Sequence, residues 1–222
     1  MELIKAMYAR HAVRHFDGKP IKGEDRKQLN AFIKILNKKS GLNMQLIVNE
    51  PTAFGGKRAK RCNFTGCVNY LAIVGPNNGK LKEKAGYYGE QVVLKAQTMG
   101  INSCWVALTF NKIKNTYKVN KNQKLALVVA LGYGTTQGHP HESKRFGQVV
   151  TNRGKLPSWF IKGVKYALLA PTGVNKQGFK FTLLNNNKVK VKNRSLCKKV
   201  DLGIIKFHFE LGAGKENFTW AK

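Results

Sequence analysis

The chain has 222 residues, 42% of them hydrophobic, and sets 40 Lys and Arg against 11 Asp and Glu for a formal charge of +29. That apolar fraction is enough for a buried core, and four cysteines are too few for a disulfide-stapled scaffold, so a globular fold with free thiols is expected. No run of about eighteen apolar residues occurs, which excludes an ordinary membrane span and reads as a soluble, cytoplasmic protein without a membrane partner.

The N-terminus, "MELIKAMYARHAVRHF", is interrupted by charges every few residues. From Glu24 to Lys38, Leu29, Phe32, Ile33 and Leu36 recur at the offsets of an amphipathic helix. Met44–Val48 then reads as a strand. The Gly-rich and basic interval Gly55–Gly66 reads as a surface excursion, and "YLAIV", Tyr70–Val74, as a short buried strand closed by "GPNNG". A long helix follows, with Ala85, Tyr88, Val92, Ala96 and Met99 on one face and an end at Gly100. Leu125–Leu131, "LALVVAL", has the continuous apolar character of a central strand. Beyond Pro157 the spacing predicts a helix, strands over "FKFTLL" and "KVKVK", and a last helix from about Lys199 with Leu202, Ile205, Phe209 and Gly212 on one face.

Each half therefore reads as helix, strand, strand, helix, and the phrasing repeats as well. Ser40, Gly41, Leu42, Asn43 and Gln45 recur in the same spacing as Thr172, Gly173, Val174, Asn175 and Gln177. Gly89 and Gly100 likewise match Gly203 and Gly214, and "NSCWVA" echoes "NFTWAK". This order argues for an internal duplication. The expected fold is α+β, with a first half over 1–150 and a shorter second half over 151–222, packed as an intramolecular pseudo-dimer that leaves the chain monomeric.

The positive charge favours anionic partners. Only "GGKRAKR", Gly55–Arg61, is densely basic, so no specific nucleic-acid partner is expected. Cys62 and Cys67 lack the further ligands of a zinc site, and His139 and His141 sit in a polar turn around Pro140, so no metal is expected.

Four segments carry a family resemblance. "YARHAVRHF" resembles the Arg-Arg-Ser-Val-Arg-x-Phe opening of the nitroreductase family of FMN flavoproteins, and "APTGVNKQGFKF" resembles its Ala-Pro-Ser-x-x-Asn-x-Gln-Pro motif. "TMGINSCWVALTF" is similar to its Gly-Leu-Gly-Ser-x-Trp loop, and "ALVVALGYG" with the later "SKRF" to its strand, Gly-Tyr turn and late basic pair. The resemblance implies a nitroreductase-like fold of the single-chain branch, with one FMN per chain. It also implies an NAD(P)H oxidoreductase, in which NADH or NADPH delivers hydride to the flavin and a small-molecule electron acceptor, such as a nitroaromatic or a quinone, takes the electrons. An FMN-storage role and a basic nucleic-acid-binding role are the alternatives.

By the same resemblance the site residues come from both halves. Arg10, Lys144 and Arg145 are implied as phosphate ligands, since guanidinium and ammonium groups suit a phosphate dianion. His11 and Ala12 stand where the family has Arg and Ser, and Arg14 either binds or forms a structural ion pair. Trp105 either touches the ring or fills the core, while Val106, Ala107 and Leu108 are placed to offer backbone groups. The second copy of the repeated phrase, Pro171, Thr172, Gly173 and Asn175, is implied at the ring edge. The first copy is expected to be a capped turn entering a strand. No side chain is assigned as a catalytic acid or base, because the flavin carries the chemistry.

Overall fold

The fold was analysed in a computed structural model that describes residues 2–221. The chain divides between Pro140 and His141 into two compact units.

In the first unit the apolar segments pair into a sheet. Helices α1 (Leu3–Ala9) and α2 (Gly23–Ser40) precede strand β1 (Asn43–Ile47), and Gly41 ends α2 in the left-handed conformation at φ 71°. Helices α3 (Thr52–Gly55) and α4 (Lys57–Arg61) lead to β2 (Asn69–Pro76), then α5 (Leu81–Thr98), β3 (Asn102–Val106) and β4 (Gln123–Gly132). The strand order is β1-β2-β4-β3, antiparallel at every pairing. Helix α5 packs on α1, α2 and strands β2, β3 and β4. The opposite side is a cluster in which Tyr70 and Ala72 of β2, Cys104 and Val106 of β3, and Val128 and Ala130 of β4 meet Phe54, Phe64 and Phe110. Because both faces are covered, β2 and β4 are apolar at successive positions rather than at alternate ones.

That second cover was not foreseen. Residues 55–66 are mostly exposed, as a surface excursion implies, but Ala59 on α4 and Phe64 turn inward, and the Phe54 and Phe64 rings lie 5.0 Å apart. A sheet face rich in Tyr70, Val106 and Val128 needs an apolar lid, and α4 contributes its one apolar residue, Ala59, while Lys57, Arg58, Lys60 and Arg61 meet solvent.

In the second unit, short helix α6 (Phe146–Val149) precedes α7 (Ser158–Ala167), a 3-10 turn at Gly173–Asn175, strands β5 (Phe179–Leu184) and β6 (Lys188–Asn193), helix α8 (Lys198–Ala213) and strand β7 (Thr219–Trp220). The hairpin tip places Asn186 and Asn187 at positive φ, as a tight β-turn requires. Helix α7 lies so close to α8 that a methyl group on Gly163 would stand 2.7 Å from the Phe209 ring. Phe209 stacks on Phe181 at 4.8 Å and meets Phe218 edge-on at 5.1 Å, which makes an aromatic core for a small unit.

The expected order of helix, strand, strand and helix occurs in the second unit as α7-β5-β6-α8, while in the first α3 and α4 intervene between β1 and β2. The first two strands are antiparallel in both, β1 with β2 and β5 with β6. Strand β7 runs parallel to β6, and β3 runs in the same direction as β2 because both are antiparallel to β4. The helix-ending glycines Gly100 and Gly214 have φ of 77° and 76°. The division falls earlier than the boundary read at residue 150. His141 bonds the Leu168 carbonyl through Nε2 at 2.9 Å and Lys144 bonds Gln177, which ties residues 141–150 to the second unit.

Candidate functional site

In the second unit the segment after α7 adopts a costly backbone. Val174, Asn175 and Gln177 all have positive φ, of 48°, 51° and 43°, and non-glycine residues hold such conformations only when their surroundings impose them. Thr172 Oγ1 accepts the Gln177 N–H at 3.0 Å. Asp201, 2% exposed on α8, accepts the Gly173 N–H at 3.2 Å and the Ser195 hydroxyl at 2.5 Å. Burial raises the Asp201 carboxyl above its usual range, and the Ser195 and Gly173 bonds work against that rise.

The turn grips the late basic pair. The buried Gln177 carboxamide donates to the Glu142 carbonyl at 2.7 Å and accepts the Lys144 N–H at 2.9 Å, so it reads one loop at two points. Asn175 Nδ2 donates to the same Glu142 carbonyl at 2.9 Å, and its Oδ1 accepts from Gln177 at 2.8 Å. Lys144 Nζ closes the ring on the Gln177 carbonyl at 3.0 Å. Arg145 follows, its N–H held by Gln148 Oε1 at 2.9 Å and its side chain exposed. Pro171 is half-buried. The Gly173 N–H is taken by Asp201 and the Thr172 hydroxyl oxygen by the Gln177 N–H, while Asn175 keeps one N–H and one lone pair for a ligand.

The first copy of the phrase works the same way on another loop. Gln45 Nε2 donates to the Lys118 carbonyl and Oε1 accepts the Lys118 N–H, each at 2.8 Å, and Asn43 Nδ2 adds a bond to that carbonyl at 3.1 Å. Asn-x-Gln is thus a loop clamp in both units. The difference lies in the loop that it holds, since only the second holds Lys144 and Arg145.

In the first unit the N-terminal segment lies along β3, with Val13 N–H bonded to the Ser103 carbonyl at 3.0 Å. Arg10 is 3% exposed and faces Glu90, itself fully buried, at 3.9 Å. Its Nε and Nη1 and the Ser103 hydroxyl are buried without hydrogen-bond partners, and unpartnered buried donors of this kind suit an anionic group. His11 is half-buried, whereas Ala12 and Arg14 are exposed. Among the described residues Arg14 has no ion pair, which leaves its guanidinium available for an anion.

Trp105 is half-buried, and its surroundings support the packing role. It lies in β3 rather than in a loop, its Nε1 donates to Glu90 at 2.9 Å, and its ring abuts Gly89 on α5. It fills the core and positions the Glu90 carboxylate. Val106 is buried at the strand end, and Ala107 and Leu108 emerge into solvent. Glu90, Asp201, Ser195 and the Gln177 clamp escaped the sequence reading. The available signal was acid scarcity: with 11 acids against 40 bases, an Asp or Glu inside an apolar helix stripe marks a buried anchor.

Among the described residues no group of three or more His, Cys, Asp or Glu can hold a metal, and no helix is long and apolar enough to cross a membrane. In the second unit the exposed Lys144 and Arg145, on a loop anchored by Gln177 and Gln148, fit the phosphate of a cofactor such as FMN.

No curated protein matches the chain. A Thermotoga maritima protein described as a putative nitroreductase shares its fold, with 20% identity, a TM-score of 0.67, and coverage of 96% of this chain and 83% of that one. A putative nitroreductase in complex with FMN from Exiguobacterium sibiricum aligns at 12% identity and TM-score 0.55 over 69% of this chain and 98% of its own. A nitroreductase family protein from Streptococcus pneumoniae aligns at 14% and 0.53 over 68% and 100%. The family described as "Putative TM nitroreductase" matches residues 2–213, nearly the full length, and the chain belongs to that nitroreductase family.

Proposed function

We propose that this chain is an FMN-dependent NAD(P)H oxidoreductase that acts as a monomer on a small-molecule electron acceptor. Family membership supports an oxidoreductase, and the related Exiguobacterium sibiricum structure contains FMN. The observation that carries the reading is the clamp: three left-handed residues and a buried carboxamide hold two exposed cations, Lys144 and Arg145, in a fixed loop. Such preorganisation suits a tightly held anion rather than a solvated surface.

Bound FMN would take hydride from NADH or NADPH and pass electrons to the acceptor. The chain's contribution is placement and field. In the second unit Lys144 and Arg145 would hold the phosphate, and Asn175, beside Pro171, Thr172 and Gly173, would offer its remaining N–H and lone pair to the flavin. In the first unit Arg14 presents an exposed guanidinium, with His11 and the Ala12 main chain beside it in the chain, whereas Arg10 is turned inward to Glu90. Backbone groups of Ala107 and Leu108 lie at the exposed end of β3. The excess of cations stabilises negative charge on a reduced flavin without any side chain acting as acid or base.

The test is optical. The purified protein, or protein reconstituted with FMN and desalted, is expected to show the flavin spectrum at one FMN per chain and to bleach when NADH or NADPH is added without oxygen. Flavin that does not bleach would point to storage, and failure to retain FMN would remove the reading. Light scattering at micromolar concentration is expected to give the mass of one chain.

A further inference from the structure

The outer face of the β5–β6 hairpin sets like charges directly opposite one another. Lys180 pairs with Lys192 across the strands, and Thr182 with Lys190. Strand alternation turns these side chains away from Phe179, Phe181 and Val189, which are buried on the inner face. Opposed like charges destabilise an antiparallel pair, and among the described residues Lys180, Lys190, Lys192 and Arg194 have no ion-pair partner.

The face is also concave. Lys144, Lys180, Lys190, Lys192 and Arg194 line a cavity of about 470 Å³ that no Asp or Glu enters. Thr151 and Thr182, whose hydroxyls meet at 2.6 Å, add neutral donors to its wall. Without Lys144, which the proposed flavin phosphate uses, four cations still exceed what a single phosphate needs, and two rows of cationic side chains about 5 Å apart on adjacent strands can bracket two linked phosphoryl groups. The aromatic rings of the hairpin point inward, so no platform exists on which the bases of a single-stranded nucleic acid could stack.

We propose that this cavity binds the diphosphate group of a small phosphorylated ligand. Two sources share that chemistry. One is the pyrophosphate bridge of a nicotinamide dinucleotide donor, which rests on the proposed oxidoreductase reading; the other is a free diphosphate such as inorganic pyrophosphate or ADP, which does not.

Calorimetric titration of the full chain tests it at about 0.15 M salt, where long-range surface attraction is screened. The probes are inorganic pyrophosphate, orthophosphate, ADP, NADPH and a short single-stranded DNA. The test variant is Lys180→Gln with Lys192→Gln. The control is Lys57→Gln with Arg58→Gln, which removes the same charge from exposed positions on α4. Pyrophosphate is expected to bind about tenfold more tightly than orthophosphate and to lose about tenfold in the test variant but less than about twofold in the control. Competition by NADPH with the same variant sensitivity assigns the dinucleotide source, and competition by ADP alone the free one. Equal losses in both variants, no pyrophosphate binding, or a preference for the DNA would overturn the assignment. Flavin content is read in the same samples: its absence with pyrophosphate binding intact would sink only the oxidoreductase reading, and loss of pyrophosphate binding with flavin intact only this one.

Discussion

Replacing Gln177 with Ala removes the carboxamide that ties the strained turn to residues 142–144. Gln177 is 2% exposed, and three side-chain bonds of 2.7, 2.8 and 2.9 Å disappear with it. At about 1 kcal/mol net for each, the loss is about 3 kcal/mol. Water can reach the freed main-chain groups of exposed Glu142 and Lys144, which reduces the expected cost to about 2 kcal/mol. The Lys144 Nζ bond to the Gln177 carbonyl survives, so the loop loosens without leaving the turn. Lys144 and Arg145 must then be ordered when the ligand binds, at about 0.5–1.5 kcal/mol per side chain, which lowers FMN affinity roughly tenfold. Gln45→Ala is the matched control: it loses the two 2.8 Å bonds to Lys118, costs about 1–2 kcal/mol of stability and leaves FMN affinity unchanged. Urea unfolding followed by Trp fluorescence gives the first quantity and FMN titration the second. A Gln177→Ala protein as stable as the parent, or an equal FMN defect in Gln45→Ala, would refute the clamp as the positioning device.

Other perturbations probe other parts of the molecule. Glu90→Ala leaves the Arg10 guanidinium buried without its counter-charge and is expected to cost about 3–5 kcal/mol in urea unfolding, whereas Arg10→Met with Glu90→Leu should recover most of it; no recovery would show that the pair is not the cause. Asn175→Ala is expected to weaken FMN binding, while Asn43→Ala changes only the melting temperature, by the loss of a bond worth about 1 kcal/mol. Burial pushes the Cys67 thiol up to about 12 and raises Cys104 as well. At about pH 7 to 9 Cys67 therefore stays protonated, and buried Cys67 and Cys104 stay unmodified by a thiol reagent while the chain is folded, so half-buried Cys62 and Cys197 react first; peptide mapping that finds Cys67 among the early products would contradict this. Gly163→Ala drives a methyl group to 2.7 Å from Phe209 and 2.9 Å from Ala213, with an expected loss of about 1–3 kcal/mol in melting experiments.

Periodicity alone determines the long elements. The stripes Leu29–Ile33–Leu36 and Ala85–Val92–Ala96 become the buried faces of α2 and α5, and "LALVVAL" becomes β4 between β2 and β3, because helix and strand repeats are local properties of the chain. The ordered motifs likewise carry the family, since their spacing survives in the sequence. Tertiary structure decides what depends on a distant partner. Residues 57–61 are helical and turn Ala59 inward because a sheet face needs a lid, and Trp105 joins a strand because Val129 pairs with it. Arg10 turns inward because Glu90 on α5 is there to meet it. The phrase Asn-x-Gln is visible twice in the sequence, but nothing local says that one copy closes on Lys118 and the other on Glu142 and Lys144. Those loops are brought within hydrogen-bond reach only by the packing of each unit, and that long-range closure is what gives the second copy its pair of anchored cations.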